Sequence, residues 1–119
     1  MIMERIHILV IDDERTFANC IAEYARNSCE GLAAVATRYT EYSIRYGDRT
    51  QIWLDHDLGN GDDIRVVVDF LSLLNPDFCE KIFVHSQNPT TDWIVTCLEN
   101  VGYDVQRSIL PNLNRMENQ

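Results

Sequence analysis

Residues Arg5–Glu14 read RIHILVIDDE, and this stretch decides the fold. Arg5–Ile11 is a continuous apolar run rich in β-branched residues. A run of that length, without apolar–polar alternation, suits a central strand of a parallel sheet, buried on both faces. It breaks directly into Asp12, Asp13 and Glu14. Carboxylates at the carboxyl end of a central strand are notable, because open α/β sheets bind ligands there, at the switch in strand order.

Working outward, apolar residues at Phe17, Cys20, Ile21, Tyr24 and Ala25 have helical spacing and predict a helix over Thr16–Cys29, closed by Gly31. Ala34–Tyr39 reads as a second strand and Thr40–Tyr46 as a short helix ended by Gly47-Asp48. Gln51–Asp55 is a third strand, and the polar loop HDLGNGDD follows at His56–Asp63. Ile64–Leu74 is a helix broken by Asn75-Pro76. Lys81–Val84 is a fourth strand, Thr91–Val101 a helix before Gly102, and Tyr103–Ile109 a fifth strand. Strands alternating with helices predict a parallel sheet with right-handed crossovers. We expect one domain over residues 1–110 and a short polar tail over 111–119, with no final helix.

The chain has 119 residues, 45% hydrophobic and 24% charged, which suits a single folded domain rather than a disordered chain. Ten Lys+Arg against nineteen Asp+Glu leave a net charge of −9, which argues against duplex nucleic acid as partner. No apolar run approaches a membrane span and the N-terminus offers no signal peptide, so the expected location is cytoplasmic. Cys20, Cys29, Cys79 and Cys97 lack CxxC spacing and read as reduced thiols.

Three strand ends carry polar clusters: Asp12-Asp13, Asp55-His56-Asp57 and His85-Ser86-Gln87-Asn88. Crowded carboxylates repel one another, and hard oxygen ligands suit Mg²⁺ or Mn²⁺. Asp12, Asp13, Asp55 and Asp57 are therefore the candidate metal ligands. Helix capping by the first three, and a solvated loop position for Asp57, are the alternatives. Ser86, Asn88 and Arg107 are candidates to hold phosphate oxygens, with turn formation as the other reading of Ser86 and Asn88. Asp55, His56 and His85 are candidate catalytic groups. The two histidines either exchange protons with a phosphodiester or turn away into packed positions. His7, before a buried strand, reads as structural. Asp62 and Asp63 read as the start of the next helix.

ILVIDDE, followed by a strand ending in Asp55 and another ending near Ser86, resembles the receiver domain of two-component response regulators over about residues 5–109. That resemblance implies a flavodoxin-like fold with strand order 2-1-3-4-5. It matches Asp12 and Asp13 to the acidic metal pair, Asp55 to the phospho-acceptor and Ser86 to the hydroxyl switch residue. The chain departs from receivers in three respects. Strand five reads DVQRSIL, with Arg107 in place of a Lys-Pro; the last helix is expected to be missing; and the loops read LDHDLG and HSQNP. Those two loops together resemble the receiver-like domains of phage and bacterial proteins that process cyclic phosphates. The resemblance implies a divalent-metal-dependent activity on a phosphate ester, cyclic in the sharper form. The alternatives are a phospho-accepting signalling domain and a non-catalytic nucleotide- or protein-binding module. The missing helix is expected to uncover apolar residues such as Ile8, Val10, Trp53 or Val105, and so to provide a face for a homodimer or a protein partner.

Overall fold

The computed structural model describes residues 5–16, 21–45, 48–85 and 91–108. Five parallel strands form one sheet: β1 (Ile6–Ile11), β2 (Glu23–Ala25), β3 (Arg49–Asp55), β4 (Cys79–His85) and β5 (Val105–Ser108). Their order is β2-β1-β3-β4-β5, as expected. The helices are α1 (Ser28–Arg45), α2 (Arg65–Leu71) and α3 (Asp92–Val101), and a 3-10 turn lies at Pro76–Phe78.

The first third of the chain corrects the sequence reading. No helix separates β1 from β2 among the described residues, and Phe17 and Cys20 lie outside them. Tyr24 and Ala25, expected on a helix face, belong to β2, and Ile21 is 97% exposed. Ala34–Tyr39, expected as a strand, is the middle of α1, which also absorbs most of Thr40–Tyr46. Two local signals favour that helix. One is the alanine-rich segment GLAA, a strong helix former. The other is Asn27-Ser28-Cys29-Glu30, a capping sequence. The Asn27 side chain accepts the Glu30 N–H at 2.8 Å, and Glu30 Oε1 accepts the Arg26 N–H at 2.8 Å. Gly31 consequently lies near the start of α1 and does not end a helix. A Cβ there would stand 3.1 Å from Ile11 Cγ2 and 3.2 Å from Val67 Cγ2, so its bare backbone lets α1 pack against β1 and α2.

The later elements follow their predicted order with small changes of boundary. Asn75 accepts the Asp77 N–H at 3.0 Å and starts the 3-10 turn. Gly102, at φ 115°, ends α3 in the left-handed conformation. The described helices all pack on one face of the sheet. Ala34 and Val35 of α1, Val67, Val68 and Leu71 of α2, and Ile94 and Leu98 of α3 form one core with Leu9, Ile11, Ile52, Leu54, Ile82 and Val84. Alternation sends Ile8, Val10, Trp53 and Phe83 to the opposite face. There Trp53 and Phe83 stack at 4.1 Å between ring centroids. Val10, expected to lie uncovered there, is instead buried at 1% exposure. Val105 packs against the helix-covered core, which corrects its expected place on the open face. His7 Nε2 lies 3.3 Å from Asp48 Oδ2, far from the carboxyl ends of the strands. Cys29, Cys79 and Cys97 are free thiols, and Cys20 lies outside the described residues.

Candidate metal and phosphate site

Parallel register assembles the site. Ile11 pairs with Leu54, so Asp12 and Asp55 leave their adjacent strands side by side, and Asp55 pairs with His85 on the next strand. One carboxylate oxygen from each of Asp12, Asp13 and Asp55 lies within 4.8 Å of the others. Among the described residues this is the cluster of His, Cys, Asp or Glu side chains that could hold a metal ion.

Asp12 is buried and tightly specified. Its N–H donates to Ala25 O at 3.0 Å, which ties the end of β1 to β2. Its Oδ1 accepts the N–H groups of Glu14 and Arg15, each at 3.0 Å. Only Oδ2 is left to face a cation, and Arg15 Nη1 lies 3.3 Å from it. The same nitrogen is 3.9 Å from Asp55 Oδ2. Arg26 fixes this loop from beneath: its Nη1 donates to Arg15 O at 2.7 Å and Asp12 O at 3.2 Å. Neither arginine was singled out from the sequence. The available signal was the spacing of Arg15, three residues after Asp12 and within reach of the same strand end.

Asp55 is held back from ionising by burial first and by its neighbours second. Its side chain is 16% exposed. Burial, then the Asp12 carboxylate, push its pKa up to about 7, against the pull of Arg15 and the Asp57 N–H. An oxygen cluster in which one member resists ionisation suits a divalent cation, which neutralises the repulsion.

The loop after β3 closes over this cluster. Leu58 is buried and its N–H donates to Asp62 O at 3.1 Å, while Asp62 N–H donates to Gly59 O at 2.9 Å. Gly59 has φ 79°, and a Cβ there would stand 2.9 Å from Asp13 Oδ2. Its backbone approaches the site so closely that only glycine fits without displacing the carboxylate. Asp57 is exposed, and its Oδ1 accepts the Gly59 N–H at 3.0 Å, shaping the loop outside the three-carboxylate group. Asp62 does not start α2. It accepts the Ser28 hydroxyl at 2.6 Å and the Ser28 N–H at 2.8 Å, capping α1, and those two bonds lower its pKa. Asp63 does hold the N–H of Arg65, the first residue of α2, at 2.8 Å.

His85 is buried at 7% exposure, beside Asp55 in the sheet. His56 is partly buried, and its carbonyl accepts the Ile64 N–H at 3.2 Å. Arg107 is aligned with Val84, on the helix-covered side, and its guanidinium pairs with Asp92 at the start of α3. Ser86 and Asn88 lie outside the described residues.

Residues 7–100 match the family described as the cyclic-phosphate processing receiver domain. The chain belongs to that family. No curated protein and no solved structure matches it. In this receiver domain the matched segment takes in the acidic cluster, both histidine-bearing strand ends and the loop at Gly59. No helix among its described residues is long and apolar enough to cross a membrane.

Proposed function

We propose that this receiver domain is a divalent-metal-dependent phosphoesterase that opens a cyclic phosphate. The observation that carries the reading is the convergence of Asp12, Asp13 and Asp55 at two adjacent strand ends, with Asp55 driven up to about 7. Their donor set fits Mg²⁺ or Mn²⁺, hard cations that prefer oxygen. When bound, such an ion offsets negative charge on phosphate oxygens as the phosphorus is attacked.

The reaction adds water across one P–O ester bond. A water oxygen bonds to phosphorus, the ring P–O bond breaks, and the ring oxygen leaves as a hydroxyl after gaining a proton. His85, beside Asp55, is the group we assign to that proton traffic, with His56 as the second candidate. Asp12 and Asp13 would serve as oxygen ligands, with Asp12 fixed by two backbone N–H groups and Asp13 beside the Gly59 backbone. Ser86 and Asn88, which follow β4 directly, are the proposed hydrogen-bond donors to phosphate oxygens. Arg107 enters this reading only if it leaves Asp92.

The test is phosphorus NMR of the protein with Mg²⁺ or Mn²⁺ and a panel of cyclic nucleotides that includes 2′,3′-cyclic forms, with acetyl phosphate in a parallel sample. Conversion of a cyclic phosphate to a monoester, lost in His85→Ala and Asp55→Asn, is the expected result. An acyl phosphate on the protein, with every cyclic compound untouched, would overturn it and favour Asp55 as a phospho-acceptor.

A further inference from the structure

The carboxylate site contains a cation of its own. Arg15 Nη1 lies 3.3 Å from Asp12 Oδ2 and 3.9 Å from Asp55 Oδ2. Asp12 Oδ2 is the oxygen left over once backbone N–H groups have occupied Asp12 Oδ1. Its contact with Asp12 is long for a charge-assisted bond and runs through one nitrogen only. The Nε–H of Arg15 is buried and has no hydrogen-bond partner among the described residues. Buried donors are seldom left unbonded in folded proteins. A guanidinium offers five N–H donors in a planar fork that matches the oxygens of a phosphate. Here part of that fork is desolvated and unused, beside the cluster that would bind the metal. Arg26 grips the Arg15 carbonyl at 2.7 Å, which fixes the backbone that carries this side chain.

Charge points the same way. Three carboxylates and one guanidinium leave two negative charges when all are ionised, which one divalent cation cancels. A metal ion held by Asp12 and Asp55 would compete with Arg15 for their oxygens, since two neighbouring cations repel. Receivers have a lysine at the end of strand five, whereas this chain has Arg107, which is paired with Asp92.

We propose that Arg15 is the phosphate-holding cation of this site: it occupies the carboxylates while the metal is absent, and turns its Nε–Nη edge to the phosphate oxygens once the metal has displaced it. This rests on the reading of the cluster as a divalent-cation and phosphate site. Arg15 thus has two opposed effects. It competes with the metal and supports the anion.

Calorimetric titration separates them. Mn²⁺ is titrated first, and inorganic phosphate is then titrated onto the Mn²⁺-loaded protein. The proteins are wild type, Arg15→Gln, Arg15→Lys, Arg107→Gln and, as a control for lost charge, Lys81→Gln at the other end of the sheet. Arg15→Gln should bind Mn²⁺ several-fold more tightly and phosphate at least about tenfold more weakly. Arg15→Lys, which keeps the charge but loses the fork, should fall between wild type and Arg15→Gln for phosphate. The other two variants should match wild type in both titrations. Undiminished phosphate affinity in Arg15→Gln, or a loss in Arg107→Gln instead, overturns the role of Arg15 while Mn²⁺ binding upholds the metal site. If Arg15→Gln does not fold, wild-type phosphate affinity in Arg15→Lys overturns it equally. No Mn²⁺ uptake by the wild type removes the metal reading and this inference with it.

Discussion

Replacing Asp55 by Asn should stabilise the metal-free protein. Asp55 ionises near 7 in the fold against 3.8 when unperturbed, so the folded state holds its proton more tightly than the unfolded chain. The stabilising contribution is complete below about pH 4 and is lost as pH rises toward 7, because ionisation there is resisted only by the fold. Taken at face value, that gap is worth about 4 kcal/mol. Solvent reaches part of the side chain and Arg15 lies 3.9 Å away, so a penalty on the order of 1–2 kcal/mol at pH 8 is the reasonable magnitude. Asn keeps the size and removes the charge. In EDTA at pH 8, Asp55→Asn should therefore melt higher than wild type, by about 4 °C per kcal/mol for a domain of this length. The advantage should shrink at pH 5 and vanish near pH 4. With saturating Mn²⁺ the order should reverse, because wild type gains binding free energy that the variant cannot. Thermal unfolding by circular dichroism at three pH values, with EDTA and with Mn²⁺, measures all of this. A variant less stable than wild type in EDTA at pH 8 would refute the reasoning, since it would make the Asp55–Arg15 attraction outweigh burial and repulsion.

Gly59→Ala places a Cβ at φ 79°, 2.9 Å from Asp13 Oδ2, so it should destabilise the fold by about 1 kcal/mol and weaken Mn²⁺ binding at least severalfold in the same titration. Asp62→Ala removes both bonds to Ser28 at the start of α1 and should lower the melting temperature at pH 7. Since the Asp62 pKa is lowered from 3.8 in the fold, the difference from wild type should fade as pH falls through and below that value. The stacked Trp53–Phe83 face carries the expectation of a homodimer or partner. Light scattering over a range of concentrations should give a dimer mass that Trp53→Ser reduces, and a monomer throughout would reject the homodimer.

The sheet was legible because its strands are short apolar runs that end in chemistry. RIHILVI, QIWLD and KIFV all reappear as strands, with Asp12, Asp55 and His85 at or just beyond their carboxyl ends. The first third was misread for a physical reason. A three-residue edge strand such as Glu23–Ala25 leaves too little sequence to show a period of two. Helical spacing through Tyr24 and Ala25 then masked it. Within α1, the hydroxyls of Thr37, Thr40 and Ser43 bond to carbonyls one turn back, so residues that look strand-like or turn-like are accommodated in a helix. At the site, the convergence of the three carboxylates was readable from strand ends alone. The separation of Asp57 from them could not, because it depends on the turn that bonds Asp57 to Gly59. Arg26 was missed because its contact with the Asp12 carbonyl spans fourteen residues, whereas the local i,i+3 spacing of Arg15 from Asp12 was a signal left unused.

We propose that Asp12, Asp13 and Asp55 form one divalent-metal site. Anomalous diffraction from a crystal soaked in Mn²⁺ tests it most directly. One peak bonded to oxygens of all three carboxylates, at about 2.0–2.3 Å, is the expected result, together with its loss in Asp55→Asn. A Mn²⁺ peak elsewhere, at Asp57 for example, with the three carboxylates still paired to Arg15, would contradict it.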